Sequence, residues 1–315
     1  IGIVGLGLMG SSIIASLLAV GHQVKAIAAL PDEKEIAAIR IKDQLLHCEK
    51  CNLLIEPVEY YLSTLIISDD YRELNNCSLV IECIIEDIEI KERVFKKIVA
   101  SVNSDAIIAS NTSSLPISIL QRFIEYPERF IGIHWAEPAF ATRFLEIICG
   151  EVTSTLTADR VFELAHLWGK EPTLLKKDIR GFITNRLMYS VYREALSLVE
   201  SGGATIEDAD KAFRYDAGSW MTLMGIFRRM DFMGLRDHLV ILKTLIPLLS
   251  NMDEVPQTLQ HLIAADARGI QNFNGFYNYT KEEAKYWDET FASFNEDIYR
   301  LAALYPSENI VPSLK

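Results

Sequence analysis

Ile1-Gly2-Ile3-Val4-Gly5-Leu6-Gly7-Leu8-Met9-Gly10 decides the fold. An apolar, β-branched run leads straight into G-x-G-x-x-G, and a helical run over Ser11–Val20 follows before Gly21. At such a junction Gly5 permits the tight turn and Gly7 lets the backbone approach a pyrophosphate. Gly10 lets helix and strand pack closely, and the helix N-terminus favours negative charge. A lone glycine pattern is weak. Between a first strand and a second one at Gln23–Ala28, it predicts dinucleotide binding through Gly5, Gly7, Leu8, Met9 and Gly10.

Working outward, Leu65–Ser68, Leu79–Cys83 and Ala106–Ala109 are short apolar runs of the kind that become buried parallel strands. Ile88–Val102 has helical periodicity, and residues 31–62 carry a charged helical pattern. This alternation argues for a parallel sheet covered by helices. Phe130–His134 and Phe144–Cys149 read as further strands, Ala158–Trp168 as a helix and Pro172–Leu175 as a last strand. After Asp178 the strand signals stop. Phe182–Glu200 is a strong helix, with Phe182, Leu187, Val191, Ala195 and Leu198 near one face, and helical segments continue to the C-terminus. The predicted class is α/β: a Rossmann-type, mostly parallel sheet domain over residues 1–178, then an all-α C-terminal domain over residues 179–315.

A length of 315 residues suits two domains, since single cores stop growing near roughly 250 residues. Asp and Glu outnumber Lys and Arg by 43 to 31, a formal charge of −12. That balance opposes binding to nucleic acid or anionic membranes, and any site for a highly anionic substrate has to be locally basic. No apolar run reaches the roughly 18 residues of a membrane span. The chain opens on a strand pattern rather than a basic leader, so a cytoplasmic enzyme is expected. Five cysteines do not make a disulfide framework, and Cys48-Glu49-Lys50-Cys51 lacks the further ligands of a closed zinc site. No metal is expected.

One part of the dinucleotide pattern is missing. An acidic residue normally ends the second strand and takes the adenosine ribose hydroxyls of NAD, but Ala28 stands there. Asp32 either reaches the ribose from a displaced loop or caps the following helix, and the sequence leaves both open. No arginine close in sequence nominates a 2′-phosphate partner. The cofactor is expected to be NAD, with NADP not excluded and weak discrimination between them.

At this point the chain resembles the 3-hydroxyacyl-CoA dehydrogenase family. The resemblance rests on Gly5–Gly10, Ile81-Glu82-Cys83-Ile84-Ile85-Glu86 with Lys91, and Ser110-Asn111-Thr112-Ser113-Ser114-Leu115. It continues through Gly132-Ile133-His134 with Pro138, Leu145-Glu146-Ile147, Gly181-Phe182-Ile183 with Asn185-Arg186, Met224-Gly225, Gly234-Leu235 and Gly275-Phe276-Tyr277. It implies that His134 is the catalytic acid/base and Glu146 its carboxylate partner. It further implies that Ser113 and Asn185 hold the substrate's reacting oxygen, and that Glu86, Lys91 and Asn111 lie near the nicotinamide. The second domain is then a substrate and dimerisation domain, giving a homodimer. The chemistry fits: imidazole takes the hydroxyl proton near neutrality while hydride leaves the same carbon, and a carboxylate on the other ring nitrogen fixes the tautomer. The alternative readings are a helix cap before Pro116 for Ser113 and a polar residue on a solvated helix face for Asn185.

The departures bear on the substrate. The family commonly has two aromatics and an asparagine after the histidine; here His134-Trp135-Ala136-Glu137-Pro138 puts a carboxylate, Glu137, beside the cofactor and substrate. Residues 31–64 match poorly the segment that carries lysine contacts to CoA, although Lys42, His47 and Lys50 are present. The leading expectation is reversible oxidation of a 3-hydroxyacyl-CoA to the 3-oxoacyl-CoA. The alternatives are the same chemistry on a small free hydroxy acid or sugar acid, and a nucleotide-binding protein without turnover.

Overall fold

Gly2–Val4 (β1) is buried at every residue, inside an eight-stranded sheet. The computed structural model describes residues 1–30 and 32–305, and the chain divides into two units, Ile1–Thr184 and Asn185–Lys315. The first unit adds Val24–Ile27 (β2), Leu65–Ser68 (β3), Leu79–Glu82 (β4), Ile107–Ser110 (β5), Phe130–Trp135 (β6), Phe144–Cys149 (β7) and Glu171–Leu175 (β8). Their spatial order is β3-β2-β1-β4-β5-β6-β7-β8. All neighbours run parallel except β6 and β7. The order reverses at β1, so the connections leaving β1 and β4 diverge and open a crevice at their carboxyl ends.

Leu8–Ala19 (α1), Glu33–Lys50 (α2), Val58–Ser63 (α3), Ile88–Val99 (α4), Ile117–Leu120 (α5) and Thr155–Leu167 (α6) cover the sheet. Alternation along the strands sorts the core into two layers. Ile3, Ala26, Ile81, Ala109 and Ile131 pack with α1, α2 and α6. Val4, Ile27, Val80, Ile108 and Ile148 pack with α4 and α5. In α4 the buried positions Lys91, Val94, Phe95 and Ile98 follow a helical stripe, and the Asp87 side chain caps the helix at Glu89 and Ile90. α2 buries only Ala37, Ile41, Leu45 and Cys48, a narrow stripe on a charged helix.

The second unit is helical: Thr184–Glu200 (α7, whose first residue belongs to the first unit), Ile206–Tyr215 (α8), Ile226–Met233 (α9), Leu235–Leu245 (α10), Gln257–Ala264 (α11) and Lys281–Leu304 (α12). Thr280 and Glu283 form a reciprocal capping box on α12. α7 begins two residues later than its periodicity predicts. Phe182 has φ 50° and Gly181 φ 82°, so the chain turns through the left-handed region first. Phe182 then packs in the core of the first unit instead of on a helix face. Among the described residues, no helix is long and apolar enough to cross a membrane.

The β1–α1 junction depends on close approach. A Cβ on Gly10 would collide with the Gly5 carbonyl oxygen, which cannot move because Gly5 itself sits at φ 93° against Cys83 and Ile84. Gly10→Ala is therefore expected to cost about 1–3 kcal/mol by overpacking, roughly 2–10 °C in Tm for a unit of this size. Differential scanning calorimetry measures this, and an unchanged melt would show that the junction relaxes freely.

Candidate active site

β6 and β7 pair antiparallel with His134 directly opposite Glu146, an arrangement that brings facing side chains within reach. His134 Nδ1 lies 2.8 Å from Glu146 Oε2. The other oxygen, Oε1, accepts the Ile183 N–H at 3.0 Å and the Thr184 N–H at 2.9 Å. Glu146 is fully buried. Burial alone would raise its pKa; the His134 bond, the Thr184 N–H, the imidazole's charge and the Ile183 N–H outweigh it and hold the carboxyl below its ordinary value. With the carboxylate ionised, Nδ1 carries the proton and Nε2 is the nitrogen left to a ligand. Phe144 and Phe182 flank the ring at 5.6 Å each, so the imidazole is held by packing as well as by its hydrogen bond.

The glycine loop fits a dinucleotide. A Cβ on Gly7 would meet nothing within 4 Å, leaving that face of the backbone open, whereas Gly5 and Gly10 are filled in from behind. α1 carries no acidic residue in its first turn, so its N-terminus keeps its attraction for phosphate. Leu8 is exposed and Met9 packs partly against the core. Two residues of α2 that the sequence did not single out clamp the loop: the Glu33 carboxylate accepts the Leu6 N–H at 2.9 Å, and Arg40 Nη1 donates to the Leu6 carbonyl at 3.1 Å.

A second network closes the ends of β4 and β5. Glu82 accepts from Lys91 Nζ at 2.6 Å, the Ser110 hydroxyl at 2.6 Å and the Ile84 N–H at 2.7 Å. Glu82 and Lys91 are both sealed from solvent. Burial pushes the Glu82 carboxyl up, and Lys91 first, then Ser110 and Ile84, pull against it. Lys91 Nζ also lies 3.5 Å from Glu86 Oε2. Glu86 accepts from the Thr112 hydroxyl at 2.8 Å and the Ser113 N–H at 2.7 Å. Lys91, expected beside the nicotinamide, is thus committed inside the protein, and the exposed member of the group is Glu86. Asn111 Oδ1 accepts the Trp135 N–H at 2.9 Å, which ties β5 to the strand carrying His134.

Glu137 follows on the turn after β6. Its Oε2 is buried with no hydrogen-bond partner among the described residues. Burial raises its pKa, opposed by a Ser12 hydrogen bond and the Arg40 charge. Lys170, at the start of β8, reaches under this turn and donates to the carbonyls of Ala139 and Thr142, with Trp135 beneath its ammonium at 5.2 Å. Burial and the neighbouring Arg143 lower its pKa to about 7. The first unit therefore pairs His134 with Glu146 and gathers Glu86, Lys91 and Ser113. Asn185 is the second residue of α7 and opens the second unit.

The model of the 3-hydroxyacyl-CoA dehydrogenase NAD binding domain matches residues 1–179, and that of the C-terminal domain matches residues 181–279. A 5-formyl-3-hydroxy-2-methylpyridine 4-carboxylate 5-dehydrogenase from Mesorhizobium japonicum is 33% identical over 288 residues, 90% of this chain and 92% of that protein. A crystal structure of such a 5-dehydrogenase, described as an NAD+-dependent dismutase, superposes with a TM-score of 0.89 at 31% identity, covering 96% of this chain and 97% of that one. An (S)-3-hydroxybutyryl-CoA dehydrogenase from Ralstonia eutropha superposes with a TM-score of 0.74 at 27% identity, covering 89% and 98%. The cofactor is NAD.

The buried Glu82–Lys91 pair makes a test of its own. Lys91→Met leaves an uncompensated buried carboxylate and is expected to cost roughly 3–5 kcal/mol. Lys91→Met combined with Glu82→Gln is expected to recover more than half of that loss in urea unfolding. Equal losses in the single and double variants would show that the ion pair is not the source.

Proposed function

The chain belongs to the 3-hydroxyacyl-CoA dehydrogenase family, oxidoreductases acting on a CH–OH donor, and we propose that it works on a small carboxylate-bearing molecule with His134 and Glu146 as its acid/base pair. The observation that carries the chemistry is the 2.8 Å bond between His134 Nδ1 and the buried Glu146 carboxylate. His134 Nε2 takes the hydroxyl proton as the C–H bond of the same carbon breaks. Glu146 holds the tautomer that exposes Nε2 and stabilises the imidazolium once it forms. The family resemblance gives Ser113 and Asn185 the role of donating to the reacting oxygen, which carries more negative charge in the transition state than in the ketone or aldehyde. In the structure the Ser113 hydroxyl donates to Glu86 Oε1 at 3.3 Å. When bound, NAD supplies the hydride acceptor. A hydrated formyl group presents the same H–C–OH unit as a secondary alcohol, so one site serves both.

Three observations favour a small acid over a CoA thioester. The superposition on the formyl-pyridine-carboxylate dehydrogenase is closer than on the hydroxybutyryl-CoA enzyme. The front of α2 is spent on the glycine loop through Glu33 and Arg40, and Lys34 is paired with Asp69 at 3.1 Å. His47 packs on the Phe140 ring. The family match over both domains favours the second reading, a 3-hydroxyacyl-CoA. Initial rates with NADH against small formyl and oxo carboxylates and against 3-oxoacyl-CoAs separate the two. The proposal expects the larger kcat/KM on a free acid, and a higher value on the CoA esters gives the site to the second reading. On the better substrate, His134→Gln is expected to lower kcat about 10²–10⁴-fold with NADH binding unchanged. Activity above a tenth of wild type removes His134 from the mechanism.

The second unit supports assembly as a homodimer. Among its described residues only Ala267 and Ala284 are buried apolar side chains, while Phe227 is 82% exposed, Phe232 72% and Leu248 80%. Exposed apolar surface on this scale favours covering by a partner, and burial against a second copy returns about 25 cal/mol for each Å² covered. Light scattering at micromolar concentration is expected to give about twice 35.6 kDa. A mass of one chain there would overturn the assignment.

A further inference from the structure

The adenosine end of the crevice holds a carboxylate that the usual strand-end position does not supply. Ala28 is 5% exposed and packs in the core, so that position offers neither an acid nor room for one. Asp32 is exposed and makes no capping bond at the start of α2. The next residue, Glu33, turns back instead. Its Oε1 accepts the Leu6 N–H at 2.9 Å, and its Oε2 accepts the Ala29 N–H at 2.8 Å and the Leu30 N–H at 3.3 Å.

Leu6 lies inside the glycine loop, and Ala29 is two residues past the end of β2. A carboxylate bridging them is fixed at the carboxyl edge of β1 and β2, where a dinucleotide on the glycine loop places its adenosine ribose. It stands about twenty residues past the third glycine, the usual interval for the ribose acceptor. The backbone donors orient the group before any ligand arrives. A carboxylate has about four acceptor positions, and Glu33 is only half-buried, so capacity and access remain for a hydroxyl. Of the neighbouring cations, Lys34 pairs with Asp69, and Arg40 donates to the carbonyl of the same Leu6 whose N–H Glu33 accepts. A 2′-phosphate would meet this fixed negative charge.

We propose that Glu33 accepts the adenosine ribose hydroxyls and rejects a 2′-phosphate, making the chain selective for NAD over NADP where the alanine at the strand end predicts weak discrimination. The inference rests on NAD occupying the glycine loop and is independent of the substrate. Fluorescence titrations of NADH and NADPH into wild type and Glu33→Gln test it, with thermal melts as a folding check. Wild type is expected to bind NADH at least about tenfold more tightly than NADPH, and Glu33→Gln to lower that ratio roughly tenfold or more, the scale of one hydrogen bond to a charged group. A parallel loss of both ligands would reduce Glu33 to a brace for the loop and overturn the proposal. Should the variant fail to fold, competition against NADH in wild type decides. Adenosine 5′-monophosphate is expected to displace NADH at concentrations at which adenosine 2′,5′-bisphosphate does not, and equal displacement would overturn the proposal. Absence of NADH binding to folded wild type would instead strike the dinucleotide reading beneath it.

Discussion

The antiparallel register of β6 and β7 is the constraint on which the site depends. Every other neighbouring pair in the sheet is parallel, joined by connections that cross over and cannot set two chosen side chains face to face through a short turn. At this one place the chain doubles back, and the register puts His134 opposite Glu146. The buried carboxylate then needs further donors, which the backbone of Ile183 and Thr184 supplies. One ionised group thus fixes the imidazole, closes the hairpin and anchors the start of α7. Because its folded pKa is depressed, this contribution to stability is present above the ordinary carboxyl range and is lost as pH falls through the lower folded value.

A second buried carboxylate, Glu82, solves a different problem. Its donors come from β5, α4 and the turn after β4, so it joins the two strands and the helix that border the crevice. Removing two charges from water is costly, and such a pair is poor support for stability alone. What it accomplishes is placement: Lys91 lies between Glu82 and Glu86, and Glu86 in turn holds the Thr112–Ser113 turn. The β6–β7 hairpin and the ends of β4 and β5 are each organised by an acid that meets no solvent.

Much of this was legible in the sequence, for physical reasons. β1 and the first three residues of β4 are buried on both faces and so appear as apolar runs, and the glycine loop announces itself because Gly5 and Gly10 admit no side chain. His134 and Glu146 were legible through their resemblance to a family pattern. Glu82 carried a usable signal, an acid closing an apolar strand, whereas the residue with a site-like signal, Glu86, is the exposed one. Glu33 and Arg40 were not legible, since a charged helix with a four-residue buried stripe gives no sign of which charges turn inward. Phe182 misled because helical periodicity does not register a left-handed turn just before the helix begins.

Lys170 shows how a surface-type residue can be built into the interior with no sign of it in the sequence. It follows the turn after α6, where a lysine ordinarily meets water, yet its ammonium is buried under the turn that links β6 and β7. Burial lowers its pKa to about 7, so both protonation states are populated near neutrality. An ammonium has three N–H donors and a neutral amine two, and only two carbonyls, those of Ala139 and Thr142, have to be met. Either form therefore has donors enough for both acceptors in the turn that carries Glu137 and spans the His134–Glu146 pair. The turn between β6 and β7 thus rests on two hydrogen bonds that both forms of the lysine have donors to make.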